Sequence, residues 1–109
     1  MAPSVKTHRA LIEVLQTAKP KLRKAILENA DKEIVFAICE IIDNLLAGNI
    51  PISAAQKDKL KRYRKVLREL VQRGDKWQKK RETLVQKGGS FLPLLLSIVA
   101  SVLPSLFKS

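Results

Sequence analysis

Lysine and arginine residues are concentrated in one stretch of this sequence. They are the residues best suited to bind a ligand. Residues 56–89 hold 13 basic and 4 acidic side chains, a net charge of +9 out of +11 for the whole chain of 109 residues. Duplex DNA carries one negative charge per ~1.7 Å, and cations that neutralise its phosphates release bound counterions. The cluster therefore favours nucleic acid as the ligand. An anionic membrane, a protein partner or a merely solvated surface are the alternatives.

Sequence-specific reading of bases is not expected. The chain has no zinc-finger spacing, no basic region followed by heptads and no glycine-aromatic RNA motif, and its aromatic content is 5%. We therefore predict salt-sensitive binding of double-stranded DNA that is largely independent of sequence. The candidate phosphate-binding residues are Lys57, Lys59, Lys61, Arg62, Arg64, Lys65, Arg68, Arg73, Lys76, Lys79, Lys80 and Arg81.

Catalytic and metal chemistry find little support in the residue types. The chain has one cysteine, Cys39, and one histidine, His8, so a disulfide, a cysteine-based zinc site and a histidine cluster are excluded within it. No carboxylate pair accompanies the histidine, and no glycine-rich phosphate loop is present. We expect no enzymatic activity, no cofactor and no metal. Cys39 lies in an apolar run, which favours a buried core residue over a nucleophile.

The elements that position the cations follow from a division of the chain into three zones. Residues 1–55 hold 7 basic and 6 acidic side chains and predict a near-neutral helical module. Residues 56–89 form a basic helical region, and residues 90–109 predict an apolar C-terminal helix with one charge, Lys108. The predicted fold is all-α, a small helical bundle with a basic amphipathic helix and an apolar C-terminal helix.

Three helices are predicted in the first zone from apolar residues at helical spacing, over about residues 6–18, 20–28 and 32–47. Asp31 is a good N-cap for the third, and Gly48 supplies the positive φ that commonly ends a helix. The third helix is apolar on most of its circumference, so we expect it to be the central element of the core.

One long basic helix is predicted next. Ser53 and Gln56 match a capping box, and the helix should run to about Arg73, with Gly74 as its stop. A narrow apolar stripe should dock it on the third helix and leave the cations outside. A further basic segment is predicted over residues 75–87. The stripe consists of Leu60, Tyr63, Leu67, Leu70 and Val71.

Gly88-Gly89 is expected to separate the basic region from the apolar tail, with Pro93 in the first turn of the tail helix. Residues 91–107 would span about 25 Å as a helix, slightly less than the ~30 Å hydrocarbon core of a bilayer. Three alternatives stay open: a core or self-association helix, a membrane-active helix, and a membrane anchor. The residues that would act are Phe91, Leu92, Leu94, Leu95, Ile98, Val99, Val102, Leu103, Leu106 and Phe107. The first 30 residues lack the apolar run of a signal peptide, so secretion by that route is not expected.

The segment Lys87–Leu96, which follows a basic stretch, resembles the end of the adenovirus core protein X family, the precursors of the mu peptide. Residues 20–107 are similar to small basic proteins of adintovirus or Polinton-type elements. The segments that carry this similarity are Gly48–Ile52, Gln56–Tyr63 and Val85–Pro93.

The resemblance implies a virion core protein that condenses packaged double-stranded DNA, found in the virion and the host nucleus. It also implies contact with capsid proteins and a protease processing site near Gly88 and Gly89. The opening of the tail, Phe91–Leu95, looks like the start of amphibian skin antimicrobial peptides. That second similarity implies membrane permeabilisation as the alternative function.

Overall fold

Six helices account for most of the part of the chain that the computed structural model describes. It describes residues 9–74 and 76–106, and for residues 9, 12 and 99–106 the backbone alone. No strand occurs in these ranges, and the all-α prediction is confirmed for them. The helices are α1 (Arg9–Thr17), α2 (Pro20–Glu28), α3 (Lys32–Leu46), α4 (Ala54–Lys61), α5 (Arg64–Val71) and α6 (Trp77–Leu106).

The helix ends of the first zone form as local sequence chemistry predicts. Pro20 begins α2, where a missing N–H costs no helical hydrogen bond. The Asp31 carboxylate accepts a 3.0 Å hydrogen bond from the backbone N–H of Ile34 at the start of α3. Gly48, with φ of +81°, follows the end of α3. These three termination and capping predictions are confirmed.

The capping box before α4 is also confirmed. The Ser53 hydroxyl accepts from the Gln56 N–H at 3.2 Å, and the Gln56 side chain accepts from the Ser53 N–H at 2.9 Å. The helix that it starts is shorter than predicted. It breaks at Arg62 and Tyr63, and α5 then runs from Arg64 to Val71.

The break coincides with a contact between Tyr63 and α6. At the break, Tyr63 adopts φ −107° and ψ 7°, and its N–H bonds to the Leu60 carbonyl three residues back. Its ring packs against Phe91 of α6 with centroids 6.3 Å apart. The bend lets α4 and α5 each reach α6.

The largest difference from the sequence prediction concerns Gly88 and Gly89. They do not separate two segments but lie inside α6, which continues for 30 residues. Pro93 therefore lies in the helix interior, not in a first turn, and cannot donate to the carbonyl of Gly89 four residues back. Gly89 is exposed, so water can reach that carbonyl.

A single apolar stripe explains why α6 does not stop at the glycines. Its members recur every three or four residues through the glycine pair, the spacing of one helix face. Gly88 occupies a position on that face where space is short, since a Cβ there would lie 2.8 Å from Leu92 Cδ1 and 3.6 Å from Leu27 Cδ1 of α2. The stripe is Trp77, Leu84, Gly88, Phe91, Leu95 and Ile98, and the half-buried Arg81 takes the position between Trp77 and Leu84 on the same face.

α3 carries seven buried residues, in keeping with its expected place in the core, but α6 shares that place because it contacts all five other described helices. α3 packs on α5 and α6 and supplies many of the fully buried side chains. The core is therefore built around α6, and the first half of the predicted tail belongs to it. Its largest fully buried side chains include Leu15, Leu27, Ile38, Ile41, Ile42, Leu67, Leu70, Leu84, Phe91, Leu92, Leu95 and Leu96.

A buried arginine fastens α1 to α2. Arg23 is 6% exposed, and its Nε donates to the Leu15 carbonyl at 3.0 Å while an Nη donates to the Ala18 carbonyl at 2.7 Å. The last carbonyls of a helix have no partner within the helix. Arg23 thus supplies donors to the end of α1, a role that its sequence context did not indicate.

Gly89→Ala should stabilise the protein by about 1 kcal/mol, because alanine is favoured over glycine in a helix interior and a Cβ at this position meets open space. Gly88→Ala should gain less or lose stability, since its Cβ would press on Leu92. Urea unfolding followed by circular dichroism measures both. A Gly89→Ala variant no more stable than wild type would contradict a helix that is continuous through the pair.

Arg23→Met should lower the free energy of unfolding by about 2–3 kcal/mol, because two carbonyls lose a charged donor in a buried setting. Lys21→Met on the same helix is the control, since Lys21 is exposed and its loss should cost less than about 0.5 kcal/mol. Equal effects of the two substitutions in chemical denaturation would show that the hydrogen bonds of Arg23 contribute nothing to the free energy of unfolding.

Candidate nucleic-acid interface

The densest group of exposed cations lies on α4, α5 and the turn between them. Leu60, Leu67 and Leu70 are buried and fix these short helices on the core, which leaves the charged side chains outside. Seven basic side chains of this region are exposed. We call them the α4–α5 cations: Lys57, Lys59, Lys61, Arg62, Arg64, Lys65 and Arg68.

Two carboxylates lie among the α4–α5 cations and offset part of their charge. Asp58 pairs with Lys61, with Nζ and Oδ1 3.3 Å apart. Glu69 faces α6, where its Oε2 lies 3.7 Å from Lys87 Nζ. Both pairs are largely exposed, so each contributes little to stability. Seven cations against two carboxylates leave a strong positive excess on this surface.

The bend at Arg62 and Tyr63 turns these cations around the surface instead of aligning them in one row. Lys57, Lys61 and Arg64 lie around one groove of the surface. Lys59 and Arg62, with Tyr63, line a second depression that reaches Leu94 of α6. A polyanion that bends or wraps could meet both sides.

Arg73 and Lys80, which were also predicted to bind phosphate, have acidic side chains beside them. Arg73 and Lys80 lie around a depression that also contains Glu40 and Asp43 of α3. Carboxylates beside them reduce the local positive potential. We therefore expect Arg73 and Lys80 to contribute less to phosphate binding than the sequence alone indicated.

The start of α6 is similarly mixed in charge. Lys76 and Lys79 are exposed, and they share their part of the surface with Glu28 and Glu82. Arg81 is half-buried, and its Nη donates to the Ala30 carbonyl at 3.2 Å.

Arg81 also stacks on a neighbouring aromatic ring. Its guanidinium carbon lies 5.0 Å from the centre of the Trp77 ring, within the range of a cation–π interaction. Sequence reasoning counted this arginine as a phosphate ligand and missed its packing role. The spacing of four residues from Trp77, on the apolar stripe of α6, was the available signal.

Cys39 is 8% exposed, which confirms the prediction of a core residue. Burial raises the pKa of its thiol, and the nearby charge of Lys80 opposes that rise. The neutral thiol is thereby favoured, which does not suit a nucleophile. Within residues 9–74 and 76–106, no three His, Cys, Asp or Glu side chains gather as a metal site requires.

The predicted processing site lies in regular helix. Gly88 is buried and Gly89 exposed, and both belong to α6. A protease that needs an extended substrate would have to unwind α6 locally before cleaving here.

The predicted membrane or self-association residues divide into two groups. Phe91, Leu92, Leu95 and Ile98 are buried in the core and Leu94 is half-buried. The side chains of Val99, Val102, Leu103 and Leu106, and all of Phe107, lie outside the described part of the structure. Among the described residues, no helix combines the length and the apolar character that crossing a membrane requires.

No protein-family model, curated protein or solved structure matches this chain. Its function is therefore inferred from its own residues and their arrangement.

Arg81→Gln should lower the free energy of unfolding by about 1–2 kcal/mol, because it removes the bond to the Ala30 carbonyl and the stacking on Trp77. Lys76→Gln is the matched control, since Lys76 is exposed at the start of the same segment and loses the same charge. Thermal or urea unfolding measures the difference. Equal stability of the two variants would mean that Arg81 has no packing role and behaves as an exposed surface cation.

Proposed function

We propose that this protein binds and condenses double-stranded DNA without sequence specificity, through the α4–α5 cations. The observation that carries the proposal is the excess of seven exposed cations over two carboxylates on two short helices held by buried leucines. The cations of Arg73, Lys80 and the start of α6 have a secondary part, because acidic side chains lie among them.

The arrangement suits phosphates more than bases. Phosphate contacts need positive charge at several points of a rigid surface, whereas base reading needs side chains that enter a groove in a fixed order. α4 and α5 are eight residues each, about 12 Å of helix apiece, and a bend separates them. Their lysines and arginines can follow a backbone over both sides of that bend.

A role in the core of a virus-like particle extends this proposal. It rests on the resemblance of the Lys87–Leu96 segment to adenovirus core proteins, in which a basic region precedes a similar apolar motif. In such a particle the DNA is packaged at high density, and a small cationic protein would reduce the repulsion between neighbouring duplexes.

Membrane action through residues 91–107 remains the alternative. It demands more of the fold, because Phe91, Leu92 and Leu95 are fully buried and would have to leave the core before they could enter lipid. Exposing each such side chain to water costs about 1.5–3 kcal/mol. DNA binding by the α4–α5 cations needs no such opening, which is why we favour it.

The triple variant Lys59→Gln, Lys65→Gln and Arg68→Gln should weaken binding to duplex DNA and flatten its salt dependence. If six phosphates are neutralised, log K should fall with log salt at a slope of about −5, and loss of three contacts should change the slope by about 3. Fluorescence anisotropy with short duplexes of unrelated sequence measures affinity and slope together. Light scattering with long DNA measures condensation.

The control removes the same charge elsewhere: Lys19→Gln, Lys21→Gln and Lys24→Gln, all exposed residues at α2. It should keep most of the affinity and most of the slope. Equal losses in both triple variants would mean that only net charge matters, and the α4–α5 assignment would then fail. Absence of DNA binding at low salt would reject the function itself.

A further inference from the structure

The groove beside α4 differs from the rest of the cationic surface because its floor is apolar. Leu45 of α3, Leu60 of α4 and Leu67 of α5 form the buried part of its lining. Ile52 of the connector is half-buried, and Leu46 remains 42% exposed. Leu46 is one of few large apolar side chains left so open in the described chain.

The rim of this groove is positive. Lys57 and Lys61 of α4 and Arg64 of α5 line it together with the apolar floor. Within the described residues, the carboxylate that pairs with this rim is that of Asp58, which lies 3.3 Å from Lys61. The rim therefore keeps a net positive charge above an apolar surface.

The size of the groove limits what can fill it. Its volume is about 130 Å³, enough for one large apolar side chain. A phosphate would pair with the cations of the rim but would not cover the leucine and isoleucine of the floor. A peptide segment with one apolar anchor side chain between acidic residues matches both surfaces. The anchor would cover the apolar floor, and the carboxylates would pair with the positive rim.

We infer that this groove docks an acidic peptide segment of a protein partner, with a Phe- or Leu-sized side chain as its anchor. The anchor packs on Leu46 and Ile52, and carboxylates on either side of it pair with Lys57, Lys61 and Arg64. This inference is independent of DNA binding, although the two ligands would share three cations. The partner and DNA should therefore compete for the protein.

The test uses two labelled synthetic peptides that differ at one position. Both consist of aspartate and glutamate with small polar residues, and the central residue is Phe in one and Ala in the other. The Phe peptide should bind the full-length protein about tenfold more tightly, the effect expected of an anchor side chain in a partly enclosed pocket.

Substitution of Leu46 in the groove floor tests whether the preference for the Phe peptide arises in this groove. Leu46→Asn should reduce the preference for Phe to less than about threefold, because anchor and floor are coupled. Leu22→Asn on α2 is the control, since Leu22 is also exposed, at 53%, and lies outside the groove. It should keep the full preference. The double variant Lys57→Gln and Arg64→Gln should weaken both peptides by the same factor.

Several results would overturn the inference. These are no measurable binding of either peptide at low salt, equal affinity of the two peptides for wild type, or an unchanged preference for Phe in Leu46→Asn. If Leu46→Asn lowers the affinity for duplex DNA and leaves the peptides unaffected, the groove belongs to the DNA surface. If the protein self-associates and Leu46→Asn abolishes this, a second copy is the occupant.

Discussion

The structure depends on the burial of one face of α6 against every other described helix. That face runs from Trp77 to Ile98 with apolar residues three and four positions apart, and the five shorter helices surround it. None of those helices exceeds 15 residues, and short helices are marginal without tertiary packing. The position of each cationic side chain therefore depends on contacts made by α6.

The same constraint separates arginines with structural roles from those left for a ligand. A chain with a net charge of +11 must keep most of its cations in water, since an unpaired buried charge is costly. Among the described residues, Arg23 and Arg81 are partly withdrawn from water, and their guanidinium groups donate to backbone carbonyls left over at the end of a helix or in a turn. Guanidinium groups suit this role because several donors lie in one plane. The remaining cations of α4 and α5 have no comparable backbone role in the described structure.

Local signals in the sequence predicted the local structure well. Pro20, Asp31, Ser53 with Gln56, and Gly48 each act through groups within four residues, so their outcome depends little on the rest of the fold. Gly88 and Gly89 gave the wrong prediction because glycine permits a turn without requiring one. The stripe that joins Leu84 to Phe91 across the pair was visible in the sequence, but its meaning depends on the partner Leu27, which no local pattern identifies.

The candidate surface was predictable in composition and not in arrangement. Charge counting identified the region of residues 56–89, yet it could not place Glu40 and Asp43 beside Lys80, because α3 lies far from α6 in sequence. The bend at Tyr63 was likewise missed, since no helix-breaking residue marks it and the ring contact with Phe91 joins residues far apart in sequence. The groove floor combines Leu46, Ile52 and Leu67 from three elements, which only the tertiary structure brings together.

The order of the helices along the chain has a consequence for biosynthesis. α6 follows the other five described helices, so a ribosome makes the shared packing partner after them. Until then the leucines and isoleucines of α1 to α5 that pack on α6 lack the surface that covers them, and such exposed apolar surface promotes aggregation. Complete burial of this core therefore requires that α6 has been synthesised.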